Sequence, residues 1–294
     1  MASRITALFR SIRFAEVVLL QGTPIMGVLF SIGTITPEKI GLLVLFIAAN
    51  ILLVAHIFTL NDWAAAAQKA EQPNRAAELI YSEKLNSRLL FFFSTALLAV
   101  SLVLFAFLGW HTWMLAAAVA AVGILYSHPW LNAKSTPIGS SLPHFVGGLL
   151  HFLLGYTLFA PLDQRGVLIG LFFALTFTAG HLNHEVHDFD HDRRNDLRTN
   201  AVAFGKRPAF IASLVVFTFA YGCLFGLSLA GHMPRILAIW PIVLYPLHLF
   251  WALGVLRRGL TPEAVRRFQT RYRLIYALIG AGILFAIIPS TIST

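Results

Sequence analysis

The chain has 294 residues, 57% of them hydrophobic and 12% charged, where ordinary soluble domains carry roughly 25% charge; a soluble protein is excluded and an integral membrane protein indicated. The net charge of +9 has no soluble basic domain to carry it, so nucleic acid is excluded as a partner; a bias of basic residues to one membrane face, with an anionic substrate, accounts for it. The single cysteine, Cys223, lies within an apolar run, which leaves neither a disulfide framework nor a thiolate metal cluster.

The basic opening ASRITALFRSIR reads as a short interfacial helix rather than a cleaved leader, because no small-residue cleavage site follows it cleanly. Apolar runs of the length that spans hydrocarbon, about 17–25 residues, then cover 14–34, 39–60, 88–109, 111–127, 143–162, 166–187, 208–230, 234–256 and 272–290. The polar stretches 61–88 and 183–207 follow the second and sixth runs and therefore share one face. All Lys and Arg except Lys39, Arg165 and Arg235 fall on that face, which assigns it to the cytoplasm. The N-terminus is then cytoplasmic and the C-terminal STIST outside. No linker or low-complexity tract divides the sequence. The expectation is an all-α integral membrane protein, nine transmembrane helices in one bundle, forming a single domain over 1–294. A bacterial inner membrane fits such a multi-pass chain.

Within the runs lie Gln21, Asn50, His56, His151, His181, Asn183, His184 and His248. Polar groups are costly against lipid and usually face a bundle interior or a wet cavity, so a polar central chamber explains them together. For His151 and His248 the other explanation, satisfaction by one neighbouring helix, stands equally.

The sixth run leads into NHEVHDFDHDRRNDLRTNAVAFGK. If the helix continues there, Glu185, Asp188 and Asp192 form one stripe at spacings of three and four, flanked by His181, His184 and His191. Carboxylates at a helix C-terminus sit against the negative end of its dipole and need cations. Oxygen ligands one turn apart suit Mg²⁺ shared with substrate phosphates, and Arg193, Arg194, Arg198, Lys206 and Arg207 supply donors for a diphosphate. The chemistry indicated is ionisation of an allylic diphosphate whose hydrocarbon lies in the chamber. Two other readings remain: a solvated helix end with mutually paired charges, and a transition-metal site at His184, Asp188 and His191.

Asp188-x-x-x-Asp192-x-x-x-Asp196-x-x-Thr199 followed by VAFG resembles the second aspartate motif of the UbiA superfamily of intramembrane prenyltransferases, with Asp196 where that pattern usually has Gly. YSHPWLNAKSTPIG, from Tyr126 to Gly139, is similar to the family's segment after the fourth span, with Tyr126, Pro129 and Lys134 in matching places. The resemblance covers essentially the whole chain. It implies nine helices around a chamber and Mg²⁺ held on an isoprenoid diphosphate. Asp188 and Asp192 would be metal ligands, Asn61 and Asp62 would complete the site with Asp62 as a further ligand, and Lys134 and Lys206 would contact the diphosphate. His184, Glu185 and His191 would be auxiliary, and the Tyr126 ring would face cationic character in the substrate.

The first aspartate motif departs from the family pattern. In NDWAAAAQK, Asn61 and Asp62 match, but Ala65 and Lys69 stand where two further aspartates are usual. Three outcomes follow: Lys69 contacts the diphosphate in place of a second ion, the chain is a UbiA-type terpene cyclase, or it has become a non-catalytic isoprenoid-binding or scaffold protein. The segment AELIYSEKLNSR also lacks the Pro and Gly common in relatives. An anionic aromatic acceptor would find its cations only at span ends, at Arg13 or Arg88. The function expected is transfer of a prenyl group from an isoprenoid diphosphate to a small lipophilic acceptor, aromatic ones included; the sequence names no protein partner.

Overall fold

The computed structural model describes residues 8–67, 86–131 and 133–292, in which no strand occurs. The helices are α1 (Phe14–Leu20), α2 (Gly22–Ser31), α3 (Pro37–Ala67), α4 (Ser87–Ala106), α5 (Trp110–Ser127), α6 (Leu142–Tyr156), α7 (Gln164–Arg194), α8 (Asn200–Phe204), α9 (Lys206–Leu229), α10 (Ile239–Arg257) and α11 (Pro262–Ile292). Among the described residues, eight helical stretches are long and apolar enough to cross a bilayer, α1 and α2 counting as one stretch from Leu8; α6 is apolar but shorter. The fold is all-α and membrane-embedded.

Several boundaries differ from the hydropathy reading, three of them informatively. The first span is interrupted at Gln21, whose side-chain amide donates to the Val17 carbonyl at 2.9 Å. The sixth span continues as unbroken helix to Arg194, so its carboxylates do ride on helix. The last helix starts at Pro262, ten residues before its apolar run, because the Arg-rich turns before Tyr272 are amphipathic rather than unstructured. Hydropathy marks where a helix meets lipid, whereas its ends are set by caps and turns.

The outer surface is apolar, as lipid contact requires: Phe92 is 66%, Phe250 72% and Phe285 80% exposed. Inside, Phe152, Ile169, Phe172, Tyr221 and Leu224 form one buried cluster with Ile275 and Ile279. Phe46, Leu53, Phe105 and Val119 form a second on the other half of the bundle. Small hydroxyls tie helices across these clusters: Ser101 donates to Ala49 O and Ser213 to Ala179 O, both at 2.8 Å. Such bonds suit a medium with no water to compete.

The closest backbone approach is between α2 and α6. A Cβ on Gly155 would stand 1.9 Å from the Pro24 carbonyl oxygen, and one on Gly27 would stand 2.1 Å from that of Phe152. Both positions therefore require the absence of a side chain, and the contact fixes how α6 carries His144 and His151 toward the bundle centre. His56 and His248 each meet a neighbouring helix through one ring nitrogen: His56 Nδ1 lies 2.9 Å from Ser94 and His248 Nδ1 3.2 Å from the Tyr221 hydroxyl, while the Nε2 of each is buried without a partner among the described residues.

Replacing Gly155 by leucine forces α2 and α6 apart. The expected loss is about 3 kcal/mol, the upper range of overpacking, read as a lower melting temperature in detergent. Gly222→Leu, at a position with nothing within 4 Å of the added Cβ, is expected to leave the melting temperature unchanged.

Candidate active site

Helix α3 runs past its apolar stretch, so Asn61 and Asp62 sit on its final turns. Asp62 is buried, at 1% exposure, and its carboxylate pairs with the Arg13 guanidinium. Arg13 itself has φ 54° at the start of α1, a left-handed conformation that bulky residues rarely adopt. Its guanidinium also lies over the Phe58 ring, 5.4 Å from the centroid. Lys134, on the 3₁₀ turn Ala133–Ser135, reaches Asn61 Oδ1 at 3.4 Å. Burial pushes the Lys134 ammonium below its ordinary pKa, and the nearby Asp62 charge pulls in the opposite direction without prevailing.

The loop carrying Lys134 is fastened to the second motif through Asn200. The Ile138 amide, at φ 64°, donates to Asn200 Oδ1 at 2.8 Å. Asn200 Nδ2 lies 2.9 Å from Ser140 Oγ, 2.8 Å from Ser141 Oγ, and 3.1 and 3.2 Å from the two Glu185 oxygens. One amide group has two hydrogens, so these bonds are shared. Glu185 is further held by the Ala201 amide at 3.4 Å. His181 Nε2 stands 3.0 Å from Glu185 Oε1 but off the line a hydrogen bond needs. Glu185 is thus a buried tether between α7, α8 and the Lys134 loop.

Farther along α7, Asp188 is half-exposed, with Oδ1 2.6 Å from His187 Nδ1 and Oδ2 3.5 Å from His184 Nδ1. Asp192 is more enclosed, accepting from the Thr199 hydroxyl at 3.3 Å. The chain then turns through Asp196 at φ 53°. This explains how aspartate replaces the usual glycine, since Asp is among the few side chains that tolerate the left-handed region. Gly205, at φ 97° and ψ 156°, occupies a conformation essentially reserved for glycine. Donor atoms of His184, His187 and Asp188 lie within 4.8 Å of one another, a spacing that fits one divalent ion. Asp188 and Asp192, one turn apart, supply the oxygens that a hard ion prefers. At the first motif the guanidinium of Arg13 stands where a metal on Asp62 was expected. Among the described residues a metal there does not fit, because a carboxylate engaged by Arg13, with Ala65 contributing no oxygen, is too poor a donor set.

Between the motifs lies a cavity of about 190 Å³ lined by Asn61, Tyr126, His144, His151 and Phe177 among apolar side chains. The Tyr126 ring meets His144 edge-on at 5.0 Å, and His144 stacks on His181 at 3.5 Å. The Tyr126 hydroxyl is within electrostatic reach of Glu185 and Asp192. His144 Nδ1 is 2.8 Å from the Ser140 carbonyl; a carbonyl only accepts, so Nδ1 carries the proton and Nε2 the lone pair. Deeper in, His151 Nε2 donates to Asn50 Oδ1 at 3.0 Å and Asn50 Nδ2 to Gln21 Oε1 at 2.7 Å. His151 therefore both faces the chamber and has a neighbouring-helix partner.

Of the residues singled out in the sequence, Asn61 and Tyr126 line this chamber and Lys134 reaches Asn61 from outside its lining, whereas Asp62, Asp188 and Asp192 are not among the lining residues. Lys206 is instead held by Asp190 at 3.0 Å and lies over the Phe189 ring. Arg193, Arg198 and His191 are exposed, and His191 turns toward Asn195. The histidine that joins His184 and Asp188 is His187, whose Nδ1 lies beside that carboxylate, while His191 Nδ1 lies 3.4 Å from Asp192 Oδ1 and its Nε2 meets Asn195. Lys69 lies outside the described residues. Sequence reasoning missed Asn200, Ser140 and His144. The only signal for Asn200 was its place directly after Thr199, and small polar residues before a span carry no signal for the serine.

A family model described as the UbiA prenyltransferase family matches residues 23–285. Against curated protein sequences the chain has no significant match. Among solved structures it is similar to a UbiA homolog from Archaeoglobus fulgidus bound to GPP and Mg²⁺, with 17% identity and a TM-score of 0.72, covering 96% of this chain and 99% of that one. A structure of digeranylgeranylglyceryl phosphate synthase gives 17% identity and 0.75, covering 98% and 100%. The apo UbiA homolog from Aeropyrum pernix K1 gives 19% and 0.68, covering 92% and 98%. At these identities the likeness establishes the fold.

Two outcomes follow from the geometry. Arg13→Met leaves the Asp62 carboxylate buried without its guanidinium and is expected to destabilise by about 3 kcal/mol, with part recovered in Arg13→Met/Asp62→Leu; thermal melts of the three proteins check this. Diphosphate binding is expected to weaken as pH rises through the lowered pKa of Lys134, since only the ammonium makes a charge-assisted bond. A titration on Lys134→Met should be weaker throughout and lack that step.

Proposed function

Because the chain belongs to the UbiA prenyltransferase family, we propose that it binds an isoprenoid diphosphate through one divalent ion, Mg²⁺ in the simplest case, and transfers the prenyl group to a small lipophilic acceptor. The observation that carries this is the apolar cavity whose mouth holds Asn61 and Tyr126, with Lys134 3.4 Å from Asn61. A hydrocarbon tail fits the chamber, and its diphosphate then meets Lys134 on one side and the Asp188 and Asp192 stripe on the other. Family structures bound to GPP or DMAPP with Mg²⁺ support that reading.

When bound, the ion at Asp188 and Asp192, with His184 or His187 beside it, would neutralise negative charge on the diphosphate. The chain's own groups account for the rest. Lys134 donates to the phosphate and Asn61 orients the ammonium. Arg13 supplies positive charge behind the first motif, where relatives have carboxylates for a second ion. Breaking the allylic C–O bond leaves the electron pair on the diphosphate and a cation facing the Tyr126 and Phe177 rings, whose π faces attract it. The apolar wall excludes water that would quench the cation. Attack by the acceptor releases a proton, and the His144 Nε2 lone pair in the chamber wall is placed to take it. Lys206, committed to Asp190, is assigned no diphosphate contact.

The Lys and Arg excess at the end bearing both motifs supports a cytoplasmic placement of that end, and a bacterial inner membrane suits such a multi-pass chain. A second reading, a non-catalytic isoprenoid-binding protein, is favoured by the Arg13–Asp62 pair and by Ala65.

The deciding measurement is binding of geranylgeranyl diphosphate with and without Mg²⁺, with released diphosphate assayed in the same samples. Asp188→Asn/Asp192→Asn is expected to lower affinity at least about tenfold, as loss of charge-assisted contacts implies, and to abolish release. Metal-dependent binding with no release, given a range of phenolic and isoprenoid acceptors, would favour the second reading. Absence of binding would overturn both.

A further inference from the structure

Away from the chamber, helices α10 and α11 meet at the motif end in a tight hairpin whose turn passes through Gly259 at φ 87° and Leu260 at φ 54°. The hairpin brings Arg257 and Arg258 from the end of α10 against Arg267 and Arg271 from the start of α11. The four surround a cavity of about 430 Å³ whose remaining wall is apolar, including Phe250, Trp251, Leu253 and Phe268. No carboxylate lines it. Glu263, the acidic residue of this hairpin, forms no ion pair among the described residues, and neither does any of the four arginines. The Arg271 guanidinium lies over Trp251, 5.2 Å from the ring centroid. Phe250 and Leu253 are exposed on the lipid-facing side. A Cβ at Gly254, in the groove wall, would meet nothing within 4 Å, so the groove stays open there because a side chain is missing.

We propose that this groove binds an acidic phospholipid of the leaflet at the motif end. Four guanidinium groups around one concavity favour an anion there, and guanidinium forks match the oxygens of a phosphodiester. An isolated basic loop would satisfy the positive-inside bias equally well, but it would not need the apolar half of the groove. That half, continuous with the exposed Phe250 and Leu253, suits glycerol and acyl chains, which a free phosphate lacks. An aromatic ring at headgroup depth beside basic side chains is the arrangement expected where a lipid is held at the interface. The site is formed by residues that the prenyl-transfer reading does not use, so the two stand or fall separately.

The test uses the full-length protein in a mild zwitterionic detergent. Retained lipid is measured by native mass spectrometry after incubation with phosphatidylglycerol, with phosphatidylcholine, or with phosphatidylglycerol plus millimolar inorganic phosphate or diphosphate. The expected result is retention of phosphatidylglycerol at least about tenfold above phosphatidylcholine, unaffected by the soluble anions. It should be lost in Arg257→Gln/Arg267→Gln/Arg271→Gln and in Gly254→Leu, which fills the groove with its charges intact. Melting temperatures without lipid control for folding of both variants. Equal retention of the two lipids would mean annular contact, displacement by phosphate or diphosphate would mean a soluble-anion site, and undiminished retention in a folded Gly254→Leu would place the lipid elsewhere. Each of these overturns the proposal.

Discussion

A carboxylate buried at the end of a membrane-spanning helix needs a cation, and the pairing of Asp62 with Arg13 meets that need with a side chain. The pair draws the first helix against the end of α3 and holds Arg13 in a left-handed backbone conformation. It also decides the electrostatics of the chamber mouth. Positive charge at the first motif comes from the chain's own Arg13 and Lys134, and the proposed metal is assigned to the second motif alone. A fixed guanidinium differs from a bound ion in that it is always present and cannot be removed by a chelator. The first motif is therefore organised before any substrate arrives, which lowers the reorganisation needed on binding.

The second structural dependence is the Asn200 hub. One side chain joins the loop bearing Lys134, the two serines before α6, and Glu185 on the carboxylate stripe. Through it the Lys134 loop and the carboxylate-bearing helix α7 are held in register, although they come from distant parts of the chain. Glu185, expected as an auxiliary group of the site, is engaged by Asn200 and the Ala201 amide. Its oxygens are already shared among donors in a buried setting, where leaving them unsatisfied would be costly. His144 benefits from the same loop, since the Ser140 carbonyl fixes its tautomer.

The bundle handles charge differently at the two places where arginines gather near lipid. Near the chamber Arg13 is paired and partly buried. At the α10–α11 hairpin the guanidinium groups stay exposed around an apolar groove, and the shape there asks for a partner from the membrane itself.

Much of this was legible in the sequence. Hydropathy alone fixes the membrane, the number of apolar runs and their alternation, because burial against lipid is a property of consecutive residues. The helical period places Glu185, Asp188 and Asp192 on one stripe once α7 is known to continue, and Lys134 was marked by its motif. What the sequence could not decide is which groups meet across helices. Asp62 and Arg13 are 49 positions apart, and their contact depends on how helices rotate and cross. The same holds for Asn200 with Ser140, for His187 beside Asp188, and for the single-nitrogen contacts of His56 with Ser94 and of His248 with Tyr221. Those rotations are set by close packing, such as the bare backbone contact of Gly27 and Gly155 with their neighbours. Local patterns thus determined which residues enter the membrane and which carry chemistry, while only the tertiary structure assigned each charge its partner, because partnership depends on distances between segments that no local pattern contains.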